Sequence, residues 1–415
     1  MKSLQDISIA IEEKTPNNVT VTKRRIESVD LLRGIVMVLM ALDHVRHFFT
    51  NVPFQPENMQ STNGILFFTR WLTHFCAPIF FLLAGTGASL ALLQGKSLAE
   101  LSHFLWTRGL WLIFLELTVM GFGWSFVPGA SFAGVIWALG WSMVIMSFAV
   151  RFSLRWIAGL GSAMILLHNL TDGLRPETFG SLSWLWGFLH VRDIIKLPLL
   201  NFDYYVLFPL VPLIGVMMVG YALGGLFSQP AETRQKQLLW LGWLMIFAFV
   251  ILRVTNWYGD PAIASTPGGQ GRFAPQSTFV MTIVAFLNVE KYPASLQFLL
   301  MTLGPALLLL SYFERWPARP IPLGWLARKL LIFGRVPMFY YLLHLYLIHI
   351  AALVVGLLFQ QPVAWLWGAG RRAGYGHNLL FVYCVWILVI VILYFPCRWF
   401  YELKQRRKDW WLSYL

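Results

Sequence analysis

The chain of 415 residues has little charge and few cysteines. Charged side chains make up 12% of it, about half of the ~25% found in soluble domains. This shortage of polar surface excludes both a disordered chain and an ordinary soluble enzyme. The three cysteines, Cys76, Cys384 and Cys397, lie in or beside apolar segments. Their spacing offers no disulfide framework and no metal motif, so no metal is expected.

What the chain has in abundance is long, continuous apolar runs, which predict an all-α, polytopic membrane helix bundle. No segment alternates like a strand of a membrane barrel. Ten spans are predicted, with edges uncertain by a few residues. They cover residues 31–49, 66–92, 105–122, 132–150, 156–170, 204–227, 238–255, 296–313, 331–358 and 378–400.

The basic residues predict the orientation of these spans. With the N-terminus inside, the inner segments hold 19 of the 32 lysines and arginines and the outer loops hold seven. Both termini are therefore expected in the cytoplasm. The net charge of +13 then reflects this bias, and no nucleic-acid partner is expected. The predicted parts are a polar tail (1–28), one membrane domain (29–400) and a basic tail (401–415).

Three segments need a separate interpretation. Residues 279–289 are apolar but too short to span, so they are predicted to form an outer-surface element. Residues 180–190 are predicted to form a helix lying on the membrane surface. Gly220 and Gly224 predict a face that packs closely against another helix. The sequence does not decide whether the chain forms a homodimer.

Ionisable residues inside the predicted spans are costly and are therefore candidates for function. Helix geometry places His44, His74 and His344 at a similar depth, and Glu116 close to it. This level lies somewhat outside the middle of the bilayer. Asp43, next to His44, is predicted to orient a histidine. Such a group suits acid–base catalysis, a proton relay in a transporter, or axial ligation of a haem.

Four stretches of the chain carry a resemblance to a known family. They are RIESVDLLRGIVMVLMALDHVRHFF at 25–49, WLTHFCAPIFFLLAG at 71–85, KYPASLQFLLMTLGP at 291–305 and GRVPMFYYLLH at 334–344. They resemble bacterial relatives of heparan-alpha-glucosaminide N-acetyltransferase, and this resemblance implies a place in the bacterial inner (cytoplasmic) membrane. A looser similarity links the chain to the acyltransferase-three family, whose chains open with an arginine and a histidine separated as Arg33 and His44 are here.

The resemblance implies a membrane acyltransferase that moves an acyl group, acetyl above all, from cytoplasmic acyl-CoA to a carbohydrate-type acceptor on the other side. His44 would then carry out the chemistry with Asp43 as its orienter, and His74, His344 and Glu116 would complete the site. The cations implied to bind the donor are Arg33, Arg328, Lys329 and Arg335. In the animal lysosomal members the histidine assigned to catalysis follows the first span. This chain has no histidine between His47 and His74.

Overall fold

The computed structural model describes residues 26–128, 132–197, 202–261, 271–314, 324–369, 372–407 and 409–415. Within these residues the chain folds into a helical bundle with one small sheet. The predicted helical architecture is confirmed, whereas the sheet was not predicted. The basic residues of the predicted N-terminal tail up to Arg25, and also Arg315, Arg319, Arg371 and Lys408, lie outside the described residues.

The first half of the chain contains eight α-helices and the second half contains seven, within the residues described. The first eight are α1 (Glu27–Phe49), α2 (Gly64–His74), α3 (Cys76–Leu93), α4 (Leu98–Leu115), α5 (Gly121–Ser125), α6 (Val135–Ala149), α7 (Leu154–Leu167) and α8 (Ser183–His190). The others are α9 (Leu210–Gly224), α10 (Ala231–Thr255), α11 (Phe279–Leu287), α12 (Leu296–Phe313), α13 (Gly324–Arg335), α14 (Pro337–Leu358) and α15 (Leu379–Arg406). A π-helical turn, Glu116–Met120, joins α4 to α5.

The sheet consists of β1 (Phe132–Ala133), β2 (Ile194–Leu197) and β3 (Phe202–Val206). β3 lies in the middle, parallel to β1 and antiparallel to β2. We call the end of the bundle where α1 begins and α15 ends the basic end. The opposite end, where α1 ends and the sheet lies, is the sheet end.

Seven helices of the described residues are long and apolar enough to cross a membrane. They are Gly64–Leu93, Leu98–Ser125, Leu210–Ser228, Ala231–Thr255, Leu296–Phe313, Pro337–Leu358 and Leu379–Arg406. The other three predicted spans coincide with α1, which carries more charge, and with α6 and α7, which are 15 and 14 residues long. The count of ten and the location of the termini stay predictions.

Proline sets two helix boundaries that the apolar runs did not reveal. The predicted span 204–227 begins in β3, and α9 starts only at Leu210, after Pro209. The predicted span 331–358 is divided at Val336, and α14 starts at Pro337. A proline lacks the N–H that an interior helix position needs, so it fits the first turn. His344 therefore lies only about 10 Å from the start of its helix.

Polar caps explain where several helices begin. The side chains of Asn63, Ser295 and Asn378 accept hydrogen bonds from backbone amides at the starts of α2, α12 and α15. Ser97 and Glu100 form a capping box at the start of α4. Both predicted tail boundaries fall inside helices, because α1 starts at Glu27 and α15 continues to Arg406.

The two segments that were predicted not to span the membrane, 279–289 and 180–190, contain only short helices. α11 has nine residues, so the segment 279–289 does not contain a helix of spanning length. α8 follows a short 3-10 segment, Pro176–Leu182, in the region predicted as a surface helix. Gly220 and Gly224 pack against α3 within the chain, where an added Cβ would overlap atoms of Leu82 and Ser89. They therefore form a close-packing face, and its partner is α3.

α1 lies at the centre of the bundle and packs against α3, α13, α14 and α15. Its contact with α13 depends on two glycines. A Cβ on Gly34 would overlap the carbonyl oxygen of Leu330, and a Cβ on Gly334 would overlap that of Asp30. Because Arg33 and Arg335 are next to these glycines, the close approach of the two helices also brings the two arginines together.

Gly334→Ala is expected to destabilise the protein by about 1–3 kcal/mol, because the two backbones must separate to admit a methyl group. Thermal unfolding of the detergent-purified protein measures this change. Gly159→Ala is the matched control, since an added Cβ there meets no atom within 4 Å. Equal melting temperatures for the two variants would contradict this account of the contact.

Candidate functional site

Helix α1 carries three of the predicted site residues: Arg33 near its start, His44 eleven residues further along, and Asp43 next to His44. At 1.5 Å per residue, Arg33 and His44 lie roughly 16 Å apart along the helix axis. Arg33 is at the basic end, where its Nη1 donates to the carbonyl oxygen of Gly334 at 3.2 Å. His44 is toward the sheet end, with its ring 4.8 Å from that of Trp124.

The imidazole of His44 is held by a second histidine. Its Nδ1 lies 2.7 Å from Nε2 of His344, and Nδ1 of His344 lies 3.1 Å from the carbonyl oxygen of Tyr340. A carbonyl only accepts, so His344 donates through Nδ1 and accepts through Nε2. His44 then donates through Nδ1, which leaves its Nε2 as the nitrogen that can take up a proton.

Asp43 is paired with arginines and does not orient His44. Its two carboxylate oxygens accept hydrogen bonds from Arg46 at 3.0 Å and from Arg70 at 2.6 Å. The predicted role of Asp43 as an orienting group is therefore not supported, because His344 occupies the position of the orienter. Asp43 lies one turn before Arg46 on α1, and this local pairing keeps its carboxylate away from Nδ1 of His44.

Arg70 links Asp43 to a second carboxylate that the sequence analysis missed. Its Nε donates to Glu57 at 2.8 Å, and Glu57 lies 3.4 Å from Nε2 of His74. Burial disfavours the charge on Glu57, yet the Arg70 guanidinium holds the pKa of its carboxyl well below the usual range. His74 is fully buried and belongs to this ionic network. The structure therefore separates His74 from the His44–His344 pair.

Glu116 lies beside the start of α6. Its carboxyl group is buried and points toward the backbone of Gly134, Ile136 and Trp137, but neither of its oxygens forms a hydrogen bond within the described residues. A Cβ on Gly134 would overlap the carboxyl group, so glycine is required for this approach. Glu116 does not line the cavity that contains His44.

His44 lines a small cavity of about 90 Å³, which we call the histidine cavity. Its polar lining groups include Asp43, Thr73, Lys291 and Tyr292. At ~30 Å³ per water molecule, this volume holds roughly three waters. Groups that line so small a space are close enough to act on the same few atoms of a ligand.

A larger cavity of about 300 Å³, which we call the basic cavity, lies at the basic end. The charged residues among its described lining are all cations: Arg33, Arg108, Arg335 and Lys404. Two of these match the predicted donor-binding set. Arg328 and Lys329, the other two predicted residues, are exposed and do not line this cavity. Arg108 and Lys404 were missed.

The two cavities adjoin within the bundle. Phe80, Val135 and Tyr341 line both of them. Arg33 in one cavity and His44 in the other lie on the same helix. These three side chains therefore lie between the cations of one cavity and His44 in the other.

The remaining predictions concern other ligands. His44 and His344 hydrogen-bond directly to each other, so they do not lie on opposite sides of a haem plane. His349 of α14, a further histidine that a haem could use, lies within hydrogen-bonding distance of the carbonyl oxygens of Gly123 and Leu366. Within the described residues, no group of three or more histidine, cysteine, aspartate or glutamate side chains is placed to hold a metal ion.

Comparison with known proteins identifies the family. Residues 25–258, more than half of the chain, match the family model for the catalytic region of heparan-alpha-glucosaminide N-acetyltransferase. No curated protein matches the chain. The matched region includes Arg33, His44, His74 and Arg108, and it ends before α14, which supplies His344. The match confirms the predicted resemblance, and the chain belongs to the heparan-alpha-glucosaminide N-acetyltransferase family.

Proposed function

We propose that the protein is an integral membrane acyltransferase that moves an acetyl group from acetyl-CoA to a carbohydrate-type acceptor. The observation that carries this proposal is the pair of adjoining cavities, one basic and one containing His44. Membership of an N-acetyltransferase family supports both the reaction and the donor.

The basic cavity is the proposed site for the phosphates of the donor. Arginine binds phosphate through two parallel hydrogen bonds, and two arginines on neighbouring helices face this space. Asp30 pairs with both of them, at 3.1 Å from Arg33 and 3.7 Å from Arg335. This carboxylate fixes the two guanidinium groups before the ligand arrives. The pantetheine arm then extends the roughly 16 Å toward His44.

The proposed chemistry is direct transfer with His44 as general base. As the acceptor nitrogen or oxygen attacks the thioester carbonyl, Nε2 of His44 takes its proton. The carbonyl then re-forms, the carbon–sulfur bond breaks, and the leaving thiolate takes the proton from His44. His344 acts as a positioning residue because it holds His44 in the tautomer with a free Nε2.

The acceptor is proposed to enter from the sheet end, and the basic end is proposed to face the cytoplasm. The positive-inside distribution of basic residues supports this orientation. The histidine cavity adjoins the sheet through Phe132 and the segment after β3 through Leu207 and Phe208. An amino sugar is the acceptor that the family name supports.

Arg33→Ala is expected to weaken the thermal stabilisation of the purified protein by acetyl-CoA. Ligand binding raises the apparent stability of the folded state, so wild type should show a saturable rise in melting temperature. The variant should need a several-fold higher acetyl-CoA concentration for the same rise, because one phosphate-binding group is missing.

Arg151→Ala is the matched control, since Arg151 is exposed and does not line the basic cavity. An equal acetyl-CoA response in wild type and Arg33→Ala would contradict the proposed donor site. Absence of any response in wild type, followed by substrate uptake into vesicles without CoA, would instead favour the transporter alternative.

A further inference from the structure

Lys291 is a buried cation without an anionic partner in the described residues. Its side chain lines the histidine cavity, and only 8% of the residue is exposed. No carboxylate of the described residues lies within 4.0 Å of its ammonium group, and its described contact is with the ring of Tyr292 at 5.1 Å. An unpaired charge is costly to bury. Its retention beside His44 therefore indicates a function.

The carboxylates near the cavity are already engaged. Asp43 also lines it, but both of its oxygens accept hydrogen bonds from Arg46 and Arg70. Glu57 bonds to Arg70 and does not line the cavity. Both carboxylates thus form their ion pairs with arginines, and neither pairs with the ammonium group of Lys291. This ammonium group is therefore available to an anion that forms in the cavity.

The backbone that carries Lys291 is fixed before any ligand binds. Asn288 donates to the carbonyl oxygen of Glu57 at 2.9 Å, and its own carbonyl oxygen accepts from Arg253 at 2.7 Å. The amide of Glu290 donates to Asp260 at 2.9 Å. A charge held in a fixed position stabilises a transition state without the cost of reorganisation.

We infer that Lys291 is a catalytic residue, which stabilises the negative charge on the carbonyl oxygen of the acyl group during transfer. This inference rests on the proposed function. When the acceptor attacks the thioester carbon, the carbon–oxygen double bond opens and the electron pair moves to oxygen. The ammonium of Lys291 binds this oxyanion, and His44 holds the acceptor proton. The carbonyl then re-forms as CoA thiolate leaves with that proton.

The small volume of the histidine cavity favours this role over recognition of a remote anionic group. Space for roughly three water molecules fits an acetyl group and the attacking atom. Lys291 shares this space with His44, so the anion that we assign to it is the one that forms during the reaction.

The test measures release of CoA thiol from acetyl-CoA by detergent-purified protein, with glucosamine as acceptor and with water alone. Hydrolysis passes through the same type of oxyanion, so the second assay does not depend on the acceptor. Lys291→Met is expected to lower kcat about 100-fold, the loss typical of one oxyanion donor. The KM for acetyl-CoA and the stabilisation by acetyl-CoA should stay unchanged.

Lys291→Arg keeps the charge and should retain more activity than Lys291→Met. Lys291→Gln replaces the methionine variant if that variant does not fold, with the same expected loss. Lys236→Met is the matched control, because Lys236 is exposed and lies outside both cavities.

Each other outcome overturns the inference. A Lys291→Met protein with wild-type kcat would remove the oxyanion role and leave the proposed function intact. An equal loss of kcat and of acetyl-CoA stabilisation would show that Lys291 holds the donor instead. Absence of CoA release by wild type in both assays would reject the proposed function and this inference together.

Discussion

The variant His44→Gln is expected to release CoA from acetyl-CoA about 10²–10⁴ times more slowly than wild type, the contribution of one general base. Glutamine is close to histidine in size and still hydrogen-bonds to His344, but its amide does not take up a proton at neutral pH. The rate of thiol release at saturating acetyl-CoA, with glucosamine as acceptor, measures the effect.

Two measurements distinguish loss of the general base from unfolding of the His44→Gln variant. The acetyl-CoA stabilisation of His44→Gln should equal that of wild type, since the cations of the basic cavity are untouched. His103→Gln, on the exposed surface of α4, should keep the wild-type rate. Normal turnover by His44→Gln would reject the assignment of His44 as the base.

Arg253→Met is expected to destabilise the protein by about 3–5 kcal/mol, the cost of breaking a buried ion pair on one side. Arg253 is fully buried, and its guanidinium pairs with Asp260 at 3.0 Å. It also donates to four backbone carbonyl oxygens, those of Gly271, Ala285, Phe286 and Asn288. Methionine removes the hydrogen bonds to these four acceptors and the ion pair with Asp260. Thermal unfolding in detergent reports the loss.

Arg253→Lys should recover only a small part of this stability, because a lysine has three donors at one point and the acceptors surround a planar fork. Arg155→Met is the matched control, since Arg155 is exposed at the start of α7. If Arg253→Met and Arg155→Met have the same melting temperature, the guanidinium of Arg253 does not anchor the segment that carries Lys291.

The sequence allowed the central part of the site to be predicted because it lies on helices. A helix has a fixed rise per residue, so a depth follows from a position along a span. That arithmetic placed His44 and His344 at one level, and the structure brings their rings into contact. The predicted depth of His344 was measured from residue 331, but its helix begins at Pro337. The predicted level still agrees with the structure, because α13 occupies the residues before Pro337.

Residues in connecting segments were not predictable in the same way. Glu57 and Lys291 follow no helical period, and their places beside Arg70 and His44 depend on how distant segments pack. Lys291 lies in a predicted outer loop, and its burial has no signal in the sequence. Glu116 was predicted correctly as buried. Its position beside the start of α6 was not predicted, because backbone amides at a helix start have no signature in the side-chain sequence.

The hydrogen-bonded series from His44 through His344 ends at the carbonyl oxygen of Tyr340. A peptide carbonyl accepts a hydrogen bond but does not pass a proton onward. This hydrogen-bonded series therefore cannot relay a proton beyond Tyr340. A proton taken up by Nε2 of His44 has to leave from the same nitrogen. Under the proposed reaction, each proton leaves with the thiol, and the catalytic pair conducts no current across the membrane between turnovers.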